Sequence, residues 1–240
     1  MISKVKNDLF DYKNRYIMQM KDGFKFSLDS LLLAEFVNIK KDDKKILDMC
    51  TGNAPVPLVL SLKSDAEIIG FEIQKEISEL ALESVKINGL EKNIKIINDD
   101  IKNIDNYFDS NTFDIITCNP PYFKTKENGY RNKNDFLSLA RHEIAINLET
   151  IFKIASKYLK SNKAFYLVHR VERLDDIIVL ARENKMNVKE LQFISTKKEK
   201  AANTILVKCV KNGKPGIKLR KEICVDNLDT YQHLFESEVI

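Results

Sequence analysis

Two kinds of segment alternate along most of the chain. Short apolar, β-branched runs at 44–49, 68–72, 94–97, 113–118, 164–168, 188–194 and 204–210 read as strands. Between several of them, apolar residues recur at helical spacing. The stretch 76–88 places Ile77, Leu80, Ala81, Leu82 and Val85 that way and stops at Asn88-Gly89. Further helices are expected over 148–159 and 175–184. Near the start, 16–21 and 24–26 are expected to form a hairpin around Asp22-Gly23, a strong turn signal. Asp29 is expected to cap an apolar helix running through Phe36. The pattern predicts an α/β fold in which strand–helix units build a mainly parallel sheet.

The fourth run, 113–118, is followed by Asn119-Pro120-Pro121-Tyr122. Two prolines end the strand, fix φ and stiffen the turn, and the residue before a proline is held extended. Asn119 is therefore expected in a rigid turn at the carboxyl end of a strand, the edge where open α/β sheets bind ligands. A short amide, the Pro120 carbonyl and the Tyr122 ring together suit a planar ring with an exocyclic amino group.

The first run ends at Asp48-Met49 and leads into a turn of small residues, Cys50-Thr51-Gly52-Asn53-Ala54, before the apolar stretch that opens with Pro55 and Pro57. Such a turn lets backbone approach a nucleotide-like ligand. Twenty residues beyond Gly52, Glu72 closes the second run, in position to accept from ribose hydroxyls. The third run is followed by Asn98-Asp99-Asp100, and a carboxylate there can accept from an adenine amino group. Taken singly, each acid reads as a solvated strand end; in order, followed by Asn119, they read as one site.

On these residues, with Gly23-Phe24-Lys25-Phe26-Ser27-Leu28-Asp29-Ser30 and Ala140-Arg141-His142-Glu143, the chain resembles the class I S-adenosylmethionine-dependent methyltransferases that modify an amino nitrogen. Within them it is most similar to the bacterial family that N6-methylates the adenosine next to the anticodon of a valine tRNA. The resemblance covers roughly residues 15–220, and Ala54 stands where the family commonly has glycine. It implies a Rossmann-like, seven-stranded sheet, mostly parallel, with an antiparallel last strand. It implies one methyltransferase domain over 1–240: an N-terminal hairpin and helix (1–43), a cofactor-binding and catalytic core (44–211) and a C-terminal tail (212–240). Asn119, Pro120 and Tyr122 are the expected catalytic residues. Asp48, Gly52, Asn53, Glu72, Asp100 and Asp29 are the expected cofactor-binding residues, with S-adenosyl-L-methionine as cofactor and tRNA as partner. The polar stretch 123–136 is expected to be a mobile loop over the site.

A 44% hydrophobic fraction suits a chain with a good core. The N-terminus has no apolar stretch of signal-peptide length, and no run of about 18 apolar residues occurs. Four dispersed cysteines and three histidines show no metal-ligand spacing. A cytoplasmic monomer is expected. Charge is uneven. Residues 195–222 carry nine basic and two acidic side chains, +7 in a chain of net +4. Lys197, Lys198 and Lys200 within that segment, with Arg141, are the expected RNA contacts. The same signature serves ribosomal RNA guanine N2-methyltransferases and protein glutamine N5-methyltransferases, and a catalytically silent RNA-binding protein of this fold is the non-enzymatic alternative. The first is expected in a longer chain with an added domain, and the second with a helical domain before the first strand, for which residues 1–43 are short.

Overall fold

The structure is a computed structural model that describes residues 4–9, 12, 14–21, 27–121 and 146–226. The chain runs β1 (Lys4–Asp8), β2 (Tyr16–Met20), α1 (Leu28–Phe36), β3 (Lys45–Met49), α2 (Pro55–Lys63), β4 (Glu67–Phe71), α3 (Lys75–Ile87), β5 (Ile94–Ile97) and β6 (Phe113–Cys118). It continues with α4 (Leu148–Tyr158), β7 (Leu159–Arg170), α5 (Leu174–Glu183), β8 (Met186–Ser195), β9 (Thr204–Lys211) and two short strands, β10 (Lys218–Leu219) and β11 (Ile223–Cys224). Single 3-10 turns follow β5 and β7.

The main sheet has the order β8-β9-β7-β6-β3-β4-β5, with β10 and β11 both on the outer side of β8. Neighbours from β7 to β5 pair parallel. β9 is antiparallel to both β7 and β8. The expected fold class therefore holds: a Rossmann-like sheet, mostly parallel, whose last long strand is antiparallel. Side chains on a strand alternate between faces, and here each face meets its own helices. Leu47, Met49, Ile116 and Phe165 pack with residues of α4 and α5. Ile46, Ile68, Ile115 and Tyr166 pack with residues of α1, α2 and α3. Burial on both faces is why the inner strands read as unbroken apolar runs.

The second arm of the expected hairpin, 24–26, lies outside the described residues. Among those described, β2 pairs with β1, antiparallel from Lys4↔Met20 to Asp8↔Tyr16. The sequence Lys-Val-Lys-Asn-Asp is too polar to signal a strand. It is held by backbone pairing, by Lys6 over the Tyr16 ring (3.5 Å to the centroid) and by ion pairing of Lys4 with Glu83 on α3. The expectation that Asp29 caps α1 is corrected. Ser27 is the N-cap residue and Asp29 lies in the first turn. Among the described residues, no helix is long and apolar enough to cross a membrane.

Candidate functional site

A cleft of about 350 Å³ opens at the carboxyl edge of β3, β4, β5 and β6. Its floor is the turn between β3 and α2. Thr51 N–H donates to the Phe71 carbonyl at 2.8 Å, and Ala54 N–H closes back on the Thr51 carbonyl at 3.0 Å. The turn needs unusual backbone: Cys50, Gly52 and Ala54 have φ of 59°, 58° and 71°. Only glycine adopts that region without cost. Ala54 is fully buried at the N-cap of α2, where its left-handed conformation stores strain. Ala54→Gly should therefore raise the unfolding free energy by up to about 1 kcal/mol. Urea titration checks this: the midpoint should rise with the slope unchanged, and a lower midpoint would show that the methyl group's packing outweighs the strain.

Asp48 lies beneath this turn, not in the cleft wall. It is 1% exposed and its two oxygens accept from the hydroxyls of Thr51 at 2.7 Å and Thr117 at 2.6 Å. It sits on the α2 side of β3, opposite Gly70 of β4. A Cβ at Gly70 would come within 2.8 Å of the Thr51 hydroxyl, so the glycine makes the room that Thr51 uses. Asp48, expected among the cofactor-binding residues, lies under the described lining of the cleft and braces the turn that does the lining.

Glu72 is 6% exposed, immediately after β4. One oxygen accepts from Gly52 N–H at 3.0 Å and the other from Gln74 N–H at 2.9 Å. The carboxylate thus ties the β3–α2 turn to the start of α3 while lining the cleft. Asp99 and Asp100 both line the cleft. Asp99 accepts from Asp100 N–H, Asn103 and the Tyr107 hydroxyl, and those bonds from Asn103 and Tyr107 hold its carboxyl below the usual range. Asp100 caps the following 3-10 turn through Lys102 N–H and pairs with the Lys102 ammonium at 3.0 Å. Asn53 is fully buried. Its Nδ2 donates to the Met18 carbonyl at 2.8 Å, while its Oδ1 meets no donor among the described residues.

On the opposite wall, Asn119 and Pro120 follow β6, and Asn119 Nδ2 donates to Ser30 Oγ at 2.8 Å and to Ser27 Oγ at 3.3 Å. Asp29 lines the cleft from the first turn of α1. The structure thus brings Asp29, Gly52, Asn53, Glu72, Asp100, Asn119 and Pro120 to one cleft. Ser27, Ser30, Thr51 and Gly70 were not singled out from the sequence. The glycine inside an apolar strand was the available signal for Gly70, and the serines carried none beyond their place in the family segment. Tyr122, Arg141, His142 and the loop expected at 123–136 lie outside the described residues.

The basic segment 195–222 is not one patch. Lys208 and Arg220 are both ion-paired with Glu190, at 2.7 and 2.6 Å. Lys211 ends β9 at the amino edge of the parallel strands. Lys197, Lys198 and Lys200, all exposed, occupy the turn from β8 to β9. Because β8 runs parallel to β6 and β7, that turn leaves the sheet on the same edge as the cleft.

Two buried titratable groups at this edge pull stability in opposite directions. Burial pushes the Asp48 carboxyl up to about 7; its threonine hydrogen bonds oppose that, and the Glu72 charge adds to it. The stability that this gives is fully present below the ordinary 3.8 and is lost as pH rises to about 7. Burial, then Arg173, holds the His169 imidazole down at about 4. For His169 the unfolded chain takes up the proton first, so stability grows as pH climbs from about 4 past 6.5. The paired carboxyls of Asp114 and Glu190 lie low and change stability below their ordinary 3.8 and 4.5. Between pH 4.5 and 6.5 the wild-type curve should therefore be nearly flat. Asp48→Asn should rise and His169→Gln should fall across it, each by up to about 1.4 kcal/mol per pH unit. Chemical denaturation at several pH values reads this directly, and three parallel curves would refute it.

A methyltransferase-domain family model matches residues 40–223. The chain is 25% identical over 222 residues, 92% of its length and 90% of the relative's, to a tRNA1(Val) (adenine(37)-N6)-methyltransferase of Tolumonas auensis. It is 27% identical over 179 residues, 74% of its length and 73% of the relative's, to the protein of that name in Bacteroides thetaiotaomicron. A crystal structure of a predicted O-methyltransferase from Agrobacterium tumefaciens superimposes with a TM-score of 0.65 at 18% identity, over 84% of this chain and 89% of that one. The cleft suits the cofactor of such enzymes. Four of its described lining residues are acidic and none is Lys or Arg, which favours a sulfonium and its ribose hydroxyls. The chain belongs to the methyltransferase-domain family and is an S-adenosylmethionine-dependent methyltransferase.

Proposed function

We propose that this enzyme methylates N6 of an adenosine in the anticodon loop of a tRNA. The observation that carries the proposal is Asn119-Pro120 at the carboxyl end of β6, across the cleft from Glu72 and the Asp99–Asp100 pair. The names of the two relatives above support the choice of substrate.

An adenine amino nitrogen is a poor nucleophile because its lone pair is delocalised into the ring. The Asn119 side-chain oxygen and the Pro120 carbonyl each accept one N–H, which turns the lone pair out of conjugation and aims it. Catalysis is then mainly positioning by preorganised dipoles. When bound, the cofactor supplies a methyl group already activated as a sulfonium. Tyr122 stacks on the extruded base, a contribution of about 1–3 kcal/mol. Glu72 holds the ribose hydroxyls, and Gly52 and Asn53 border the methionine portion. Asp29 joins the cofactor-binding residues from the first turn of α1. Asp100 or its neighbour Asp99, which both line the cleft, faces the cofactor adenine. Asp48 acts through the turn it braces.

Recombinant enzyme incubated with unmodified tRNA should yield N6-methyladenosine on nucleoside mass spectrometry, and tRNA from cells lacking the gene should lose it. Methylation of a protein glutamine with none in tRNA would overturn the reading.

The same reading makes Lys197, Lys198 and Lys200 phosphate contacts, which fix register without selecting a base. Reversing all three to Glu should raise the KM for tRNA and flatten the salt dependence of binding, while leaving cofactor affinity unchanged. A triple variant with wild-type tRNA affinity and salt slope would make the turn a merely solvated surface.

A further inference from the structure

The Ser27–Asn119–Ser30 contact has an unusual partner in the cap of α1. Ser27 is the N-cap residue, with φ −94° and ψ 155°, the backbone geometry in which a serine hydroxyl normally accepts from the first helical turn. That bond is not made. The hydroxyl instead accepts from Asn119 Nδ2, and Ser30, one turn later and 6% exposed, accepts from the same nitrogen at 2.8 Å. Both serines line the cleft with Asn119. The helix that carries them is fixed: Leu31, Leu32, Leu33 and Phe36 are buried. A helix end has thus given up its own cap to grip a side chain 92 residues away.

We propose that Ser30, assisted by Ser27, is the positioning residue that sets which end of the Asn119 amide meets the substrate. The proposal rests on Asn119 accepting a substrate N–H, as argued above. An amino group offers only donors in its plane, so the amide must present its oxygen. Its NH₂ end must then be satisfied on the other side, and the two serine oxygens are the acceptors there. With Ser30 replaced by alanine, the inward NH₂ loses its 2.8 Å acceptor in a nearly buried position. Turning the amide over relieves that loss but points NH₂ at the substrate's own N–H, which opposes two donors.

The test is a double-mutant cycle of single-turnover rates on unmodified tRNA. Ser30→Ala should slow methyl transfer by about tenfold, the effect of losing one hydrogen bond of ordinary strength, with the cofactor dissociation constant unchanged. Ser27→Ala should slow it less, reflecting the 3.3 Å contact, and should not lower the unfolding midpoint, because its cap bond is absent. In an Asn119→Ala background Ser30→Ala should have no further effect. Wild-type rate in Ser30→Ala, or an equal slowing in both backgrounds, overturns the positioning role. If Ser30→Ala does not fold, Ser27→Ala carries the same cycle under the same criteria. If the wild-type enzyme methylates no tRNA, the substrate reading is what fails. The cycle is then read in unfolding free energy, where zero coupling between Ser30 and Asn119 overturns this inference by itself.

Discussion

Asn119→Ala should lower the single-turnover rate of methyl transfer by about 10²–10³ while leaving S-adenosylmethionine binding nearly intact. The expected loss is that of one preorganised hydrogen bond at a reacting centre. The two walls of the cleft explain the separation of effects. Glu72, Asp99 and Asp100 project from the ends of β4 and β5, with β3 lying between them and β6. Removing the amide leaves the Gly52 and Gln74 bonds to Glu72 untouched. The fold should survive as well, because β6 is buried along its whole length and is paired on both sides before Asn119 is reached. Labelled cofactor and unmodified tRNA, mixed with enzyme in excess, isolate the chemical step. A rate near wild type would remove Asn119 from the catalytic role.

The long strands and their order of chemistry were legible because burial on two faces leaves a simple mark. The runs at 94–97 and 113–118 match β5 and β6 residue for residue. β7 was read too short, as 164–168, because its first half is Leu-Lys-Ser-Asn-Lys. That half is not carried by apolar burial. The register slips between Phe113 and Ile115, and Lys160 and Lys163 ion-pair with Asp114 and with the Asp42–Asp43 pair before β3. Such pairs join residues far apart in sequence and leave no periodic trace.

The same blindness explains the site. Asp48 and Glu72 each read as an acid at a strand end, where solvent is the ordinary expectation. Both are buried, because donors from elsewhere satisfy them: two threonine hydroxyls for Asp48 and two backbone N–H groups for Glu72. Sequence reasoning reached the position of each carboxylate but not its partners. For Asp48 the partners make it a brace under the turn. For Glu72 they add a second role to the first.

That second role changes what Glu72→Ala should do. As a ribose ligand alone, Glu72 would be lost at the expense of affinity only: about 1.5–3 kcal/mol, the usual range for hydrogen bonds to a charged group, or roughly ten- to a hundredfold in the dissociation constant. In the folded enzyme it also satisfies Gly52 N–H and Gln74 N–H at 6% exposure. Alanine strands both donors, so the unfolding free energy should fall as well, by about 1–3 kcal/mol. Glu72→Gln separates the two. Its carbonyl oxygen still accepts one backbone N–H, but its NH₂ opposes the other and cannot accept from a ribose hydroxyl. Stability should fall less than in the alanine variant, while cofactor affinity should fall nearly as far. Calorimetric titration with S-adenosylmethionine and urea denaturation of the two variants decide the matter. An unchanged dissociation constant in both would show that Glu72 only ties the turn to α3, and unchanged stability in Glu72→Ala would show that the two backbone bonds contribute nothing to the fold.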